Sequence, residues 1–431
     1  MTHRANRTLQ VAGLARVEGE GALHVRTVGG EVDRVELNIY EPPRFFEAFL
    51  RGRNFREPPD ITARICGICP VAYQMSACQA IEDACGVEVG GQLRALRRLL
   101  YCGEWISSHT LHIYLLHAPD FLGFADGIAM AGAHRAIVER GLALKKAGNQ
   151  IMDVIGGRAI HPVNVRVGGF YRVPTPDELR PLAKTLHQAL YDALGTLEWV
   201  AGFDFPDLEV PHDLLALRDD EGYPLDRGAP HTSTGLTFPV ADFSNHVVEH
   251  QVPHSTALHA RLDDRTFLVG PLARYSLNSD RLSPVAREAA AAVGLGPVCR
   301  NPFRSIVVRA VEVVYAVEEA LRIIDSYERP DSPWVEVDPR AGVGHGITEA
   351  PRGLLYHRYG LDAAGRILSA DIVPPTSQNQ SAIEADVAQV VRSHQHLDDH
   401  ALQSLCERTI RNYDPCISCS AHFLDFTRES T

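Results

Sequence analysis

Arg64-Ile65-Cys66-Gly67-Ile68-Cys69-Pro70 and Asp414-Pro415-Cys416-Ile417-Ser418-Cys419-Ser420-Ala421-His422 are the two stretches on which the fold and chemistry of this chain turn. Each contains a Cys-x-x-Cys turn, which lets two sulfurs converge on one point while the amides of the turn hydrogen-bond them. Together they offer four thiolates, a donor set that selects soft or borderline metals: zinc, iron in clusters, nickel or copper(I). A four-cysteine structural zinc site fits that donor set. Zinc ribbons, however, place their pairs roughly 15–20 residues apart, and here almost the whole chain intervenes. A dithiol redox site is a second possibility, but no thioredoxin-like strand–helix–strand pattern surrounds either pair. A single four-sulfur site requires the two ends of the chain to meet, which favours one domain.

The rest of the composition is that of an ordinary globular protein. Of 431 residues, 45% are hydrophobic and 22% charged, enough apolar material for a large core. The net charge of −12 argues against nucleic acid and anionic membrane surfaces as partners. No apolar leader follows Met1, and no stretch approaches the roughly 20 apolar residues of a membrane span. A cytoplasmic protein without a direct membrane span is expected. Nine cysteines, an odd number thinly spread, do not suggest a disulfide framework.

Alternation at Leu23, Val25, Val32, Val35, Leu37 and Ile39 around Gly29-Gly30 predicts a β-hairpin. Phe45–Leu50 reads as a short helix. Helical spacing dominates from about Val71 to Met152. Thr175, Pro176 and Glu178 form a helix start with a capping box, followed by an apolar stripe from Leu179 to Leu197. A second long stripe runs from Val307 to Ile324. Between Phe203 and Leu282 short strands and loops are expected, and Gly353–Val373 suggests a hairpin turning at Asp362–Gly365. The expectation is a mainly α fold with peripheral β (α+β) and a long-helix bundle. It is one domain over 1–431, with the hairpin at about 9–40, a helical core at about 71–200 and 304–328, and a C-terminal site segment at about 340–422.

The flanks of the cysteine pairs narrow the chemistry. Arg64-x-Cys66-x-x-Cys69 and Asp414-Pro415-Cys416-x-x-Cys419-x-x-His422 resemble the two signatures of the large, catalytic subunit of nickel-iron hydrogenases. Arg16-Val17-Glu18-Gly19, Glu47, Gly156-Gly157-Arg158-x-x-His161-Pro162 and Glu349-Ala350-Pro351-Arg352-Gly353 match further elements of that family, in order and over nearly the full length. A related subunit of respiratory complex I shares the fold but lacks the nickel cysteines. The resemblance implies the nickel-iron hydrogenase large-subunit fold and reversible heterolytic oxidation of dihydrogen.

It also implies roles residue by residue. Cys66 and Cys416 would be terminal nickel ligands, and Cys69 and Cys419 would bridge nickel to an iron carrying carbon monoxide and cyanide. Glu18 would take the proton from Cys416; without its motif it would read as a strand-end surface charge. Arg352 would overhang the open metal position, held by Asp120 and Asp414, although Asp414 also reads as an Asx-turn residue before Pro415. Glu47 and His422, with a backbone carbonyl from around Ile372, would bind magnesium; apart from the motif His422 is a surface histidine. His161 would orient the interface with the electron-carrying partner, or is a satisfied core histidine. Cys78, Cys85, Cys102, Cys299 and Cys406 read as small buried hydrophobes.

The chain has too few spare cysteines for clusters of its own, so an iron–sulfur small subunit of the delta type is implied. The flanks are most similar to the cytoplasmic NAD(P)-linked group, which adds flavin/NAD(P)-binding and ferredoxin-like subunits and depends on maturation factors. No G-x-G-x-x-G precedes a helix here. The nine residues after His422 are either a remnant removed on maturation or a retained tail. The competing expectations are a non-catalytic scaffold or electron-transfer subunit related to complex I, and a four-cysteine structural zinc protein.

Overall fold

The computed structural model describes residues 6–421, so His422 and the tail after it lie outside the described residues. At the N-terminus, Leu23, Val25, Leu37 and Ile39 bury one face of a sheet, as a period of two requires. Strands Gly21–Val28 and Glu31–Ile39 pair antiparallel across Gly29-Gly30. Both glycines sit at positive φ, 60° and 84°, which this tight turn demands. A third strand, Arg7–Val11, joins the edge of Gly21–Val28, so the expected hairpin is a three-stranded sheet.

Long helices form the body: Pro70–Cys85, Gly91–Leu111, Arg135–Gly156, Pro176–Ala201 and Ser305–Asp325. The capping box forms as expected, Glu178 N–H donating to Thr175 Oγ1 and Thr175 N–H to the Glu178 carboxylate. Leu179, Leu182, Leu186, Ala193 and Leu197 are buried along one stripe. Helix Ser305–Asp325 is buried nearly all round and runs through the core against Gly91–Leu111 and Pro176–Ala201. Gly91–Leu111 crosses Arg135–Gly156 backbone to backbone: a Cβ on Gly148 would lie 2.6 Å from the Gly103 carbonyl.

The hairpin expected at Gly353–Val373 is present as strands Gly353–Leu361 and Ile367–Val373, closed by Gly365 N–H donating to Asp362 O. It gains a third strand, Gly342–Ala350, which lies flat on helix Pro70–Cys85. The segment 340–422 is not only a site segment: it contains two further helices, Pro375–Ser393 and Asp399–Arg411, so the helical core extends past the expected 328. Region 203–282 holds short strands as expected, including the paired Val247–His250 and His259–Leu262, and also a helix, Pro271–Asn278. One buried cluster draws side chains from Leu9 to Cys419. Among the described residues no helix is long and apolar enough to cross a membrane.

Candidate metal centre

The first cysteine turn is fixed from both sides. Cys66 ends the turn of 3-10 helix Ala63–Ile65, and Cys69 stands immediately before helix Pro70–Cys85, with Pro70 at its first position. The amides of Val71 and Ala72 donate to the buried carboxylate of Glu104 at 2.6 and 3.1 Å. A carboxylate at a helix N-terminus both satisfies free amides and meets the positive end of the dipole. The Gly156–Pro162 motif wraps this turn: Gln74 Nε2 donates to Pro162 O, and Arg64 lies 3.3 Å from the ring of His161.

The second turn is held by the start of helix Pro375–Ser393, where Thr376 Oγ1 accepts from the Cys416 amide at 3.0 Å. The N-terminal loop closes on it. Glu18 forms a parallel bridge with Cys416, and Ile417 N–H donates to Glu18 O at 3.0 Å. Gly19 makes that approach possible: at φ 89° its would-be Cβ lies 2.6 Å from Ile417 Cβ.

The two ends of the chain therefore meet. The Sγ atoms of Cys66, Cys69, Cys416 and Cys419, all buried, lie within 4.8 Å of one another. Cys66–Cys416 and Cys69–Cys419 are 3.4 and 3.9 Å apart. Two sulfurs on one tetrahedral ion with bonds of about 2.3 Å sit about 3.8 Å apart, so these pairs are close to ligating distance. Cys416–Cys419, at 2.6 Å, would open by about 1 Å. Hydrogen bonds from Cys416, then Cys419 and Cys69, hold the Cys66 thiol well below its ordinary value, while burial pushes Cys416 and Cys419 up. Four thiolates this close need a metal cation to share, and a metal deprotonates its thiol ligands outright. The donor set fits one soft centre.

Arg352 is buried beside the sulfurs. Its Nε donates to Asp414 O at 2.7 Å and its Nη2 to Asp414 Oδ1 at 3.1 Å; Nη1 has no acceptor among the described residues. Behind it, Arg274 donates two hydrogen bonds to Glu312, at 2.7 and 2.8 Å, and one to Glu349 at 2.8 Å, and caps the Trp105 ring from 4.1 Å. Arg274 also donates to Ala350 O and Pro351 O. This fully buried network fixes the backbone that ends in Arg352.

Glu18 Oε2 lies 3.1 Å from Cys416 Sγ and accepts from the Ser418 amide at 3.1 Å. Asp120 departs from expectation: its carboxylate does not hold Arg352. It pairs with Arg16 at 2.5 Å and with Arg411 at 2.7 and 2.8 Å, and Arg411 also donates to Ala15 O. The reason is reach: Asp120 packs at the seam between the N-terminal loop and helix Asp399–Arg411, and its arginines there complete its shell. It positions the loop that carries Glu18.

Glu47, on the short helix Phe46–Leu50, accepts from the Ile372 amide at 2.7 Å. Burial pushes its carboxyl up to about 7. Glu249 is pushed up to about 8, by burial and then by the neighbouring Glu47 and Asp371. This crowding of acids fits a hard cation. His422, the other expected ligand, lies outside the described residues. The remaining cysteines are buried apart from the centre, and burial raises their thiols. Glu104, Thr376, Arg274, Glu312 and Glu249 carry no motif; the single acid of helix Gly91–Leu111, Glu104 beside Trp105, was the one visible sign.

The profile of a family described as nickel-dependent hydrogenase matches residues 44–139 and 255–422. The alpha subunit of sulfhydrogenase 1 from Pyrococcus furiosus is 36% identical over 413 residues, covering 95% of this chain and 96% of that protein. The beta subunit of the NAD-reducing hydrogenase HoxS from Cupriavidus necator is 26% identical over 479 residues, 97% and 95% of the two chains. The fold matches that of an NAD+-reducing [NiFe]-hydrogenase in the H2-reduced state, with a TM-score of 0.87 at 24% identity over 96% of this chain and 99% of that one.

Proposed function

The chain belongs to the nickel-dependent hydrogenase family, and from that premise we propose that its four sulfurs are the place where dihydrogen is reversibly split into protons and electrons. The observation that carries this is the meeting of Cys66, Cys69, Cys416 and Cys419, drawn from 350 residues apart, next to Glu18 and Arg352.

Cys66 and Cys416 would hold nickel alone, and Cys69 and Cys419 would hold it together with an iron bearing carbon monoxide and cyanide. When bound, such a centre supplies polarisation and heterolysis of dihydrogen. The chain's own residues manage the proton and the pocket. Cys416 Sγ and Glu18 Oε2, 3.1 Å apart, form the first proton step. The Ser418 amide holds the Glu18 carboxylate in place. Asp414 fixes two of the nitrogens of Arg352, which leaves Nη1 as the donor for a cyanide or for polarised dihydrogen. Glu47, with His422 and a carbonyl near Ile372, would bind magnesium and tie the C-terminal segment to the first half of the chain.

Electrons would leave past the Cys66 turn. Phe49, Val163 and Tyr171 are exposed there around a cleft that also carries Arg64 and Arg158. That apolar and basic face suits an iron–sulfur small subunit of the delta type. The likeness to an NAD-reducing hydrogenase supports NAD(P) as the acceptor; flavin and ferredoxin-like subunits would carry the electrons to it in a cytoplasmic complex.

The test is metal analysis and infrared spectroscopy of the anaerobically purified complex. Nickel and iron in the chain, with bands of metal-bound carbon monoxide and cyanide, are expected, and Cys66→Ser should lose nickel. Zinc in place of nickel would instead support a structural four-cysteine site. Dihydrogen-dependent reduction of NAD+ and NADP+ by the complex checks the acceptor.

A further inference from the structure

A second set of ligating side chains converges away from the cysteines. His254 lies in the loop joining strands Val247–His250 and His259–Leu262, His259 opens the second strand, and Glu384 sits on helix Pro375–Ser393. One donor atom from each falls within 4.8 Å of the others. His254 Nε2 is 2.8 Å from Glu384 Oε1, and the two imidazole rings stand edge to face at 5.6 Å.

His259 carries the second, independent sign. It is 2% exposed, its Nδ1 is 3.3 Å from Ser381 Oγ, and its Nε2 has no hydrogen-bond partner among the described residues. A buried ring nitrogen without a protein partner is satisfied by a water or an ion. One ring nitrogen tied to a neighbouring group and the other left open is how metal-bound histidines are commonly held. Burial disfavours a charged ring at His259, and a neutral imidazole is the form that ligates a metal.

The surroundings add negative charge. Glu384 also accepts from the Leu37 amide at 2.9 Å, and Glu36 lies 3.9 Å from His254 Nδ1. Facing them are His24, near Glu36, and His250, which pairs in register with His259. Two imidazoles and a carboxylate, with a position left for water, form a borderline donor set that suits zinc better than magnesium or calcium.

We propose that His254, His259 and Glu384 hold one zinc ion that ties the Val247–Leu262 hairpin and the N-terminal sheet to helix Pro375–Ser393. The same helix carries Thr376, which holds the Cys416 amide. Eight residues separate Thr376 from Glu384, about 12 Å of helix, so the zinc would brace the element behind the nickel ligand without touching it. This stands apart from the hydrogenase assignment, since none of the three residues has a part in it.

The experiment uses the purified complex, stripped with a weak chelator and titrated with zinc chloride. Zinc per chain, zinc-edge X-ray absorption and the thermal midpoint are measured for wild type, His259→Ala, Glu384→Gln and Cys66→Ser. One zinc per chain with only nitrogen and oxygen ligands is expected, with a higher midpoint in zinc. Glu384→Gln, which preserves shape, and His259→Ala should each weaken binding on the order of 100-fold, and Cys66→Ser should leave it unchanged. Failure of wild type to retain zinc at micromolar concentration would overturn the proposal. So would sulfur in the zinc shell, or full binding by both the His259 and Glu384 variants.

Discussion

Glu18 touches the Cys416 sulfur and little else that could take its proton. Glu18→Gln keeps an acceptor for the Ser418 amide but no longer takes up a proton at working pH. Hydrogen–deuterium exchange and turnover should fall by about 10²–10⁴-fold while nickel content is unchanged; full turnover would remove Glu18 from the path. At this scale the sequence was most readable for the cysteines, because a short turn and its flanks determine where two sulfurs point. Asp120 was visible as an acid, but its partners were not. Arg16 and Arg411 lie 104 and 291 residues away, and only the seam between the two termini brings them together. Glu104 was hidden for a similar reason: a single acid on a helix that also carries Arg94, Arg97 and Arg98 looks the same whether it faces solvent or the amides of Val71 and Ala72.

The strand Gly342–Ala350 shows why some elements escape a reading by pattern. Its run of Gly342, Gly344 and Gly346 looks like a loop, yet the strand needs the last two bare: a Cβ on Gly344 would lie 2.1 Å from Ala80 O and one on Gly346 2.2 Å from Ser76 O. Helix Pro375–Ser393 hides differently. Its first turns bury Thr376, Gln378, Asn379 and Gln380 instead of an apolar stripe, and a period of 3.6 appears only from Ile383 on, at Val387, Val390 and Val391. The stripes of Pro176–Ala201 and Ser305–Asp325, by contrast, face an apolar core and could be seen directly. The network of Arg274, Glu312 and Glu349 joins such elements into the frame for Arg352. Glu312→Gln leaves Arg274 with one carboxylate partner in a fully buried site. A loss of roughly 3–5 kcal/mol in unfolding free energy is expected, the usual result of breaking a buried pair, and denaturant unfolding measures it. A change below 1 kcal/mol would mean that Glu349 alone suffices.

Over the whole molecule, buried ionisable groups set the response to acid. Burial holds His109 down at about 4 against an ordinary 6.5. Burial alone would raise Glu312, but Arg274 overrides it and keeps the carboxyl at about 2 against an ordinary 4.5. Both folded-state values are depressed, so their contributions are complete above the ordinary values and are lost as pH falls. Through His109 the urea midpoint should therefore decline from about pH 6.5 toward pH 4, and through Glu312 below about 4.5, while Glu47 and Glu249, held up at about 7 and 8, act with the opposite sign; a His109→Gln variant whose midpoint changes between pH 7 and 4 just as wild type does would contradict the His109 part. The surface yields another expectation. Val163, 48% exposed beside the first cysteine turn, belongs to the face assigned to the small subunit. Val163→Asp should abolish co-purification of that subunit while the isolated chain keeps its circular dichroism spectrum.

The bridge between Glu18 and Cys416 also has a consequence in time. Cys66 and Cys416 are 350 residues apart, and a ribosome adds about 5–20 residues per second. The first thiol pair therefore leaves the ribosome roughly 20–70 s before the second exists. Throughout that interval Cys66 and Cys69 are a two-sulfur half-site open to any passing metal or oxidant. Newly made chains should thus depend on something that shields the first pair until synthesis delivers the second.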